Sequence, residues 1–293
     1  MLEKEYIISN LQFKQTKHGK EFVSLTLTSN DSDKLELDGK VWAENVDKLK
    51  AKLQNGYIIK IVDGKQDTYN NMPQINILDI KVTGKKEWGL SLENATERYN
   101  EILNFIEKNI TNEQAKAITL QTLKKYSKNP VFFQSPAAKS HHHNYPGGLV
   151  QHTLELCKLA YAIKNTGLYP SIGWDIVFSA CVLHDLGKIY DYTIQSGTIE
   201  ITPAMKLTGH LVTTPLEIFD TAKNLGLEYT PVFDNILHAV VAHHGRKEYG
   251  SPQTPETPEA WIVHLVDMIS SRVADSNSFF DGEEPTQTTL KLF

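Results

Sequence analysis

Hydrophobic and polar positions alternate through roughly the first 85 residues. In Glu21–Thr28 (EFVSLTLT), Val23, Leu25 and Leu27 fall on one side, while Ser24, Thr26 and Thr28 fall on the other. A period of two is the signature of a half-buried strand. YIISNLQFKQT, KLELDGKVWA, YIIKIVDGKQD and QINILDIKVT read as four more strands, with turn residues between them in KHGKE, SNDSDK and TYNNMP. The run AENVDKLKAKLQNG predicts a short helix that stops at Gly56.

Five strands with one helix before the fourth is the order of an OB-fold barrel. From about residue 92 the period becomes 3.6. Leu92–Ser127 reads as one or two helices, and Leu149–Asn165, Asp175–Lys188, Lys206–Leu225, Thr230–His244 and Thr257–Asp275 as five more. Proline, glycine and asparagine punctuate the gaps (YPGG, NTGLYPSIG, GSPQTPETP). The change of period falls between Thr83 and Leu92. The expectation is a multidomain α and β chain: a small OB-fold β-barrel over 1–85, an all-α helical bundle over 86–280, and a loosely attached tail over 281–293.

Composition narrows the function classes. The chain has 293 residues, 40% of them hydrophobic, which suits two domains with cores that need no staples. Cys157 and Cys181 are the only cysteines, too few for a disulfide framework and not spaced as CxxC. The N-terminus lacks a signal-peptide run, and no apolar stretch approaches the length of a membrane helix. The expected location is the cytoplasm. The net charge of −5 excludes binding to nucleic acid through bulk positive charge. Residues 1–85 carry 13 basic and 12 acidic side chains, a net of +1, so the acidity belongs to the helical part at −6.

Ten of the eleven histidines lie between 141 and 264. His152 shares a helical face with Leu149, Leu156, Leu159 and Ile163. The pair His184-Asp185 ends an apolar run in SACVLHDLGK. His210 lies beside Leu207, Leu211 and Thr214. His243-His244 closes a helix at Gly245, and His264 and Asp267 stand three residues apart on one face. A lone histidine on an apolar face is ordinarily a satisfied core residue. Recurrence on five helices, with two aspartates that are costly to bury unpaired, calls instead for a shared metal. Imidazole and carboxylate suit Mn²⁺, Fe²⁺, Ni²⁺ or Zn²⁺.

The ordered set His152, His184-Asp185, His210, His243 and Asp267 resembles the HD superfamily of metal-dependent phosphohydrolases. With HHHNYPGGLVQHT, VLHDLGK, GHL, AHHGRKEYGSP and TPEAWIVHLVD around it, the chain is similar to the YhaM family of bacterial 3′-to-5′ exoribonucleases, which also carry an N-terminal OB-fold. The resemblance covers nearly the whole chain and rests mainly on the helical part. It implies His152, His184, Asp185 and Asp267 as core metal ligands, with Asp185 bridging to a second ion held by His210 and His243, and His244 as a further candidate. One or two divalent ions are expected, manganese first, with iron, nickel, zinc or magnesium open. Asp185 and Lys188 are the catalytic candidates, Lys188 facing the scissile phosphate; alternatively it is a cation at a helix C-terminus.

The resemblance also places His141, His142, His143 and Tyr145 at the mouth of the active site. His244, Arg246 and Tyr249, with Lys247, are candidate phosphate or base contacts, or else a solvated loop. His264 is expected to orient a ligand, His238 to sit in the core and His18 to be exposed. On the barrel, Phe22 and Trp42 fall on the polar side of their strands and are candidate stacking platforms for bases, with Lys20, Lys40 and Lys60 as phosphate contacts. The alternative is that both aromatics pack on the helical domain. The implied activity is phosphodiester hydrolysis of single-stranded RNA, with DNA open, from the 3′ end. Two rivals stand: hydrolysis of cyclic nucleotides, cyclic oligonucleotides or deoxynucleoside triphosphates, and RNA binding without catalysis. Homo-oligomerisation is open, and no membrane partner is expected.

Overall fold

A computed structural model describes residues 4–31, 36–69, 72–86, 88–139, 143–195 and 197–280. The chain divides into two compact units. One runs to Trp88 and takes in Ile194–Ile199; the other holds Gly89–Thr193 and Glu200–Asp275. Residues 281–293, read as a tail, lie outside the described residues.

The first unit is a closed barrel of five strands: β1 (Glu5–Gln15), β2 (Glu21–Ser29), β3 (Glu36–Val41), β4 (Tyr57–Tyr69) and β5 (Met72–Lys85), in the order β1-β2-β3-β5-β4. The barrel closes where β1 pairs antiparallel with β4, and β3 pairs with β5 in parallel. A parallel pair cannot be joined by a hairpin. Here the connection from β3 is α1 (Ala43–Leu49), then β4. This is the OB-fold arrangement that the strand order predicted. Val23, Leu25 and Leu27 point inward, as their alternation requires, and are at most 2% exposed. Ile59, Ile75, Ile77 and Ile80 fill the same core. Each such side chain contributes about 1.5–3 kcal/mol on burial.

The second unit is helical. Leu92–Ser127 forms two helices, α2 (Leu92–Asn109) and α3 (Glu113–Lys124), followed by a short α4 (Pro130–Gln134). Asp175 fixes the break between α2 and α3 by accepting from the backbone N–H groups of Thr111 (2.8 Å) and Asn112 (3.2 Å). Then come α5 (Gly148–Asn165), α6 (Trp174–Leu183), α7 (Lys188–Asp191), a hairpin of β6 (Tyr192–Gln195) and β7 (Thr198–Ile201) whose Ile194–Ile199 counts with the first unit, α8 (Pro203–Leu207), α9 (His210–Leu225), α10 (Pro231–Val241) and α11 (Pro258–Phe280). Every residue from Val177 to Leu183 in α6 is buried. A helix apolar all round belongs at the centre of its unit, and α6 packs on α3, α5 and α10.

Three predicted helices are shorter than their periodicity suggested. Asp175–Lys188 ends at Leu183; beyond it the bonds are tight turns, Leu186 N–H to Leu183 O at 3.1 Å and Lys188 N–H to Asp185 O at 2.9 Å. Lys206–Leu225 breaks at Gly209, whose φ of +68° only glycine adopts easily. Thr230–His244 leaves the α-helix after Val241. The hairpin β6–β7 and α4 are unforeseen additions, too short to carry a detectable period. Among the described residues no helix is long and apolar enough to cross a membrane.

Candidate metal centre

The three shortened helices meet at one place. Because α6 is buried from Val177 to its end, it delivers His184 and Asp185 to the interior, where they are 1% and 2% exposed. Helix α9 comes close to this turn: a Cβ on Gly187 would stand 2.3 Å from Thr213 Oγ1, and Gly187 N–H donates to Thr214 Oγ1 at 2.9 Å. That approach sets His210, the first residue of α9, beside the doublet. The turn after α10 supplies His243 and His244, α5 supplies His152, and α11 supplies Asp267.

Asp185 stands at the centre with its two oxygens facing different neighbours. Oδ2 is 3.2 Å from His184 Nε2, 3.6 Å from His152 Nε2 and 2.6 Å from Lys188 Nζ. Oδ1 is 3.5 Å from His243 Nε2 and 3.6 Å from His210 Nε2. Asp267 Oδ1 lies 3.2 Å from His152 Nε2. Among the described residues, atoms that could hold a metal fall within 4.8 Å of one another in three groups: His152, His184 and Asp185; His184, His243 and Asp267; and His210, His243 and His244.

The imidazoles share one orientation. Nδ1 is tied to Ser270 Oγ in His152 (3.0 Å), to Cys181 O in His184 (3.0 Å), to Asp191 Oδ2 in His210 (2.8 Å), to Val240 O in His243 (2.5 Å) and to Tyr249 O in His244 (3.0 Å). Carbonyl and carboxylate oxygens only accept, so in His184, His210, His243 and His244 Nδ1 carries a proton, and it is Nε2 that holds the lone pair whenever the ring is neutral. Among the described residues, Asp185 Oδ1, His210 Nε2 and His243 Nε2 are buried without a hydrogen-bond partner. Buried polar atoms are nearly always satisfied. Acceptors converging on one another without donors are what a divalent cation satisfies, so the residues present fit such an ion.

Electrostatics agree. Burial pushes the Asp185 carboxyl up, but Lys188 and His184 override it and hold it well below the usual carboxylate range. Asp267 is likewise held low against its burial, chiefly by His152. Burial lowers His152, His210 and His243, and brings His244 down to about 4. His184 is the exception: Asp185 outweighs its burial and raises it. Lys188 is raised in the same way and stays an ammonium. It lies in the single turn of α7, with its ammonium on the Asp185 carboxylate.

The remaining candidates divide. His264 is buried, and its Nδ1 donates to His243 O at 2.7 Å, so it steadies the His243 turn. His238 is half-buried, accepting from Glu256 N–H at 3.0 Å instead of packing in the core. His143 is buried with Nε2 3.1 Å from Glu155 Oε1, and its ring centroid is 5.4 Å from that of His152. Tyr145 is half-buried, its hydroxyl pushed up to about 12 by burial. His141 and His142 lie outside the described residues. Arg246, Lys247 and Tyr249 are exposed on the turn that holds His244. In the barrel unit, Phe22 and Trp42 stack at 5.4 Å with 28° between their planes, and Lys40 Nζ sits 5.8 Å over the Trp42 ring. Trp42 is 36% exposed and donates from Nε1 to Asn76 Oδ1 at 3.0 Å. Lys20, Lys60 and His18 are exposed.

Sequence reasoning missed three residues: Glu155, Asp191 and Ser270. Asp191 is fully buried and accepts from both Nδ1 and the backbone N–H of His210. All three stand three positions after a residue singled out from the sequence (His152, Lys188, Asp267), the spacing of neighbours on a helix. That spacing was the available signal.

Comparison with known proteins places this geometry. The HD domain family model matches residues 149–272, and a second model, TraI_2, described as a helicase, matches residues 93–173. A 3′-5′ exoribonuclease YhaM from Halalkalibacterium halodurans is 30% identical over 299 residues, covering 99% of this chain and 89% of its own. Proteins of the same name from Bacillus licheniformis and Listeria welshimeri are 29% and 28% identical, each over 94% of this chain and 86% and 87% of theirs. No solved structure matches.

Proposed function

Since this chain belongs to the YhaM family of HD-domain 3′-5′ exoribonucleases, we propose that it shortens single-stranded RNA from the 3′ end, cleaving at the histidine–aspartate centre and holding the strand on the barrel. The observation that carries the reading is Asp185, one carboxylate whose two oxygens face two sets of imidazoles. His152, His184, Asp185 and Asp267 would hold one divalent ion, and His210, His243 and His244, with the other oxygen of Asp185, a second. Manganese is the proposed ion. Such ions, when bound, neutralise charge on a phosphodiester and lower the pKa of an attacking water.

The chain's own groups do the rest. The Nδ1 bonds keep each Nε2 turned inward. Asp185 and Asp267 stay ionised and carry the negative charge that draws cations in. Lys188, held as an ammonium at 2.6 Å from Asp185, is placed to meet a phosphate oxygen arriving beside that carboxylate. Arg246 and Tyr249, exposed after the His243-His244 turn, suit a phosphate contact and a base contact. The Phe22–Trp42 stack with Lys40 offers a π-face and a cation, the sequence-tolerant means of holding single strands. A cytoplasmic site of action fits such a substrate.

A 5′-labelled single-stranded RNA incubated with Mn²⁺ and the full chain should give a ladder of one-nucleotide steps, lost with EDTA and in Asp185→Ala. Intact RNA beside a hydrolysed cyclic dinucleotide would replace this reading with a small-nucleotide hydrolase.

A further inference from the structure

Four of the five inward-facing imidazoles are anchored at Nδ1 by an oxygen that can only accept. His152 is the exception, because its anchor is a hydroxyl, Ser270 Oγ at 3.0 Å. A hydroxyl can donate or accept, so it cannot by itself decide which ring nitrogen carries the proton. His152 Nε2 faces Asp267 Oδ1 at 3.2 Å, an acceptor that by itself favours a proton there. The tautomer that can ligate a cation therefore has to be held from the Nδ1 side, and that falls to the next group. Ser270 Oγ is also 2.8 Å from Glu155 Oε2. The other oxygen of Glu155 receives Gln151 Nε2 at 2.9 Å and His143 Nε2 at 3.1 Å. The Gln151 amide cannot turn around, because its Oε1 accepts from Arg98 Nε at 3.2 Å.

Glu155 takes the fixed donor of Gln151 and faces His143 Nε2, surroundings that keep its carboxylate ionised, and an ionised carboxylate only accepts. The single proton of Ser270 therefore goes to Glu155. Ser270 can then meet His152 Nδ1 only as an acceptor, which leaves the proton on Nδ1 and the lone pair on Nε2. We infer that Glu155 is a positioning residue: through Ser270 it holds His152 in the tautomer whose Nε2 can ligate a divalent cation. The donors around Glu155 hold its carboxyl down to about 2 despite its burial, so it keeps this role across the neutral range. The inference rests on the proposed metal centre but not on RNA cleavage.

Glu155→Gln is nearly isosteric and reverses the logic. Its amide can donate to Ser270 Oγ, the hydroxyl is freed to donate to Nδ1, and the proton of His152 moves to Nε2, where it blocks ligation. The test uses the full chain, labelled with ¹⁵N-histidine and stripped of metal. Long-range ¹H–¹⁵N spectra read the tautomer, and His152 is assigned by its loss in His152→Gln. The expected result is an Nδ1–H ring in the wild type and in Ser270→Thr, and an Nε2–H ring in Glu155→Gln. Mn²⁺ titrated by electron paramagnetic resonance should bind roughly 10–100-fold more weakly to Glu155→Gln, with near wild-type affinity for Ser270→Thr. An Nε2–H ring in the wild type overturns the inference whatever the variants do. So does a Glu155→Gln protein that keeps both the tautomer and the affinity. If the tautomers and affinities come out as expected while RNA stays intact, the inference stands and the nuclease reading alone fails.

Discussion

Replacing Lys188 by methionine isolates what its ammonium does. Nζ lies 2.6 Å from Asp185 Oδ2, with the two side chains 9% and 2% exposed. Methionine keeps most of the aliphatic packing and removes the charge. Removing one partner of a buried ion pair costs about 3–5 kcal/mol, because the other charge is left uncompensated. The lower end applies, since His184 Nε2 is 3.2 Å from the same oxygen and, raised by Asp185, can take up a proton there and share the load. In a unit of this size, 1 kcal/mol moves the melting temperature by about 2–4 °C, so about 3 kcal/mol should lower it by about 6–12 °C in EDTA. A cation bound beside Asp185 supplies the missing positive charge. Saturating Mn²⁺ should therefore raise the melting temperature of the variant more than that of the wild type and close most of the gap. Thermal unfolding by circular dichroism in EDTA and in Mn²⁺ reads both effects. An equal drop in the two conditions, or none in EDTA, would refute the reasoning.

Trp42→Ala should weaken binding of a long single strand by about 5- to 150-fold, given about 1–3 kcal/mol per stacked base. It should leave turnover of a dinucleotide unchanged, and an unaltered KM on the long strand would remove Trp42 from the binding surface. Acid should destabilise the metal-free chain. Burial holds His244 at about 4 and lowers His152, His210 and His243, so below the unfolded value of about 6.5 the unfolded chain binds more protons than the folded one. The stability these rings contribute is fully present above that pH and is lost as pH falls toward 4. His184, raised by Asp185 over the effect of its burial, works in the opposite sense at higher pH. A melting temperature in EDTA that stays flat or rises between pH 6.5 and 4.5 would count against rings that are neutral in the folded state.

The barrel was legible because each strand shows one face to its core, and side chains such as Val23, Leu25 and Leu27 record that face residue by residue. Helix α6 was legible as apolar, yet not as ending at Leu183. Leu186 and Ile189 continue the hydrophobic pattern past the point where α-helical bonding stops, and both are buried. Periodicity reports burial, and burial persists through the turn that holds the doublet. The same ambiguity extended α10 beyond Val241 into the histidine turn. Candidate ligands could be picked out by residue identity, because a histidine or an aspartate on an apolar face is costly without a reason. The anchors could not. Ser270 and Glu155 are unremarkable in composition, and only folding brings α5 and α11 together so that a serine 118 residues from His152 touches its ring.

The common orientation of the five imidazoles bears on speed as well as strength. Donor atoms aimed inward before any cation arrives leave the protein little to rearrange as it loads. The slow event then becomes the shedding of water by the incoming ion. Mg²⁺ gives up its water reluctantly and prefers an all-oxygen octahedron, so it meets a kinetic barrier here as well as a mismatch of ligands. In a mixture of divalent ions, early occupancy would be weighted by how readily each ion sheds its water as well as by its concentration.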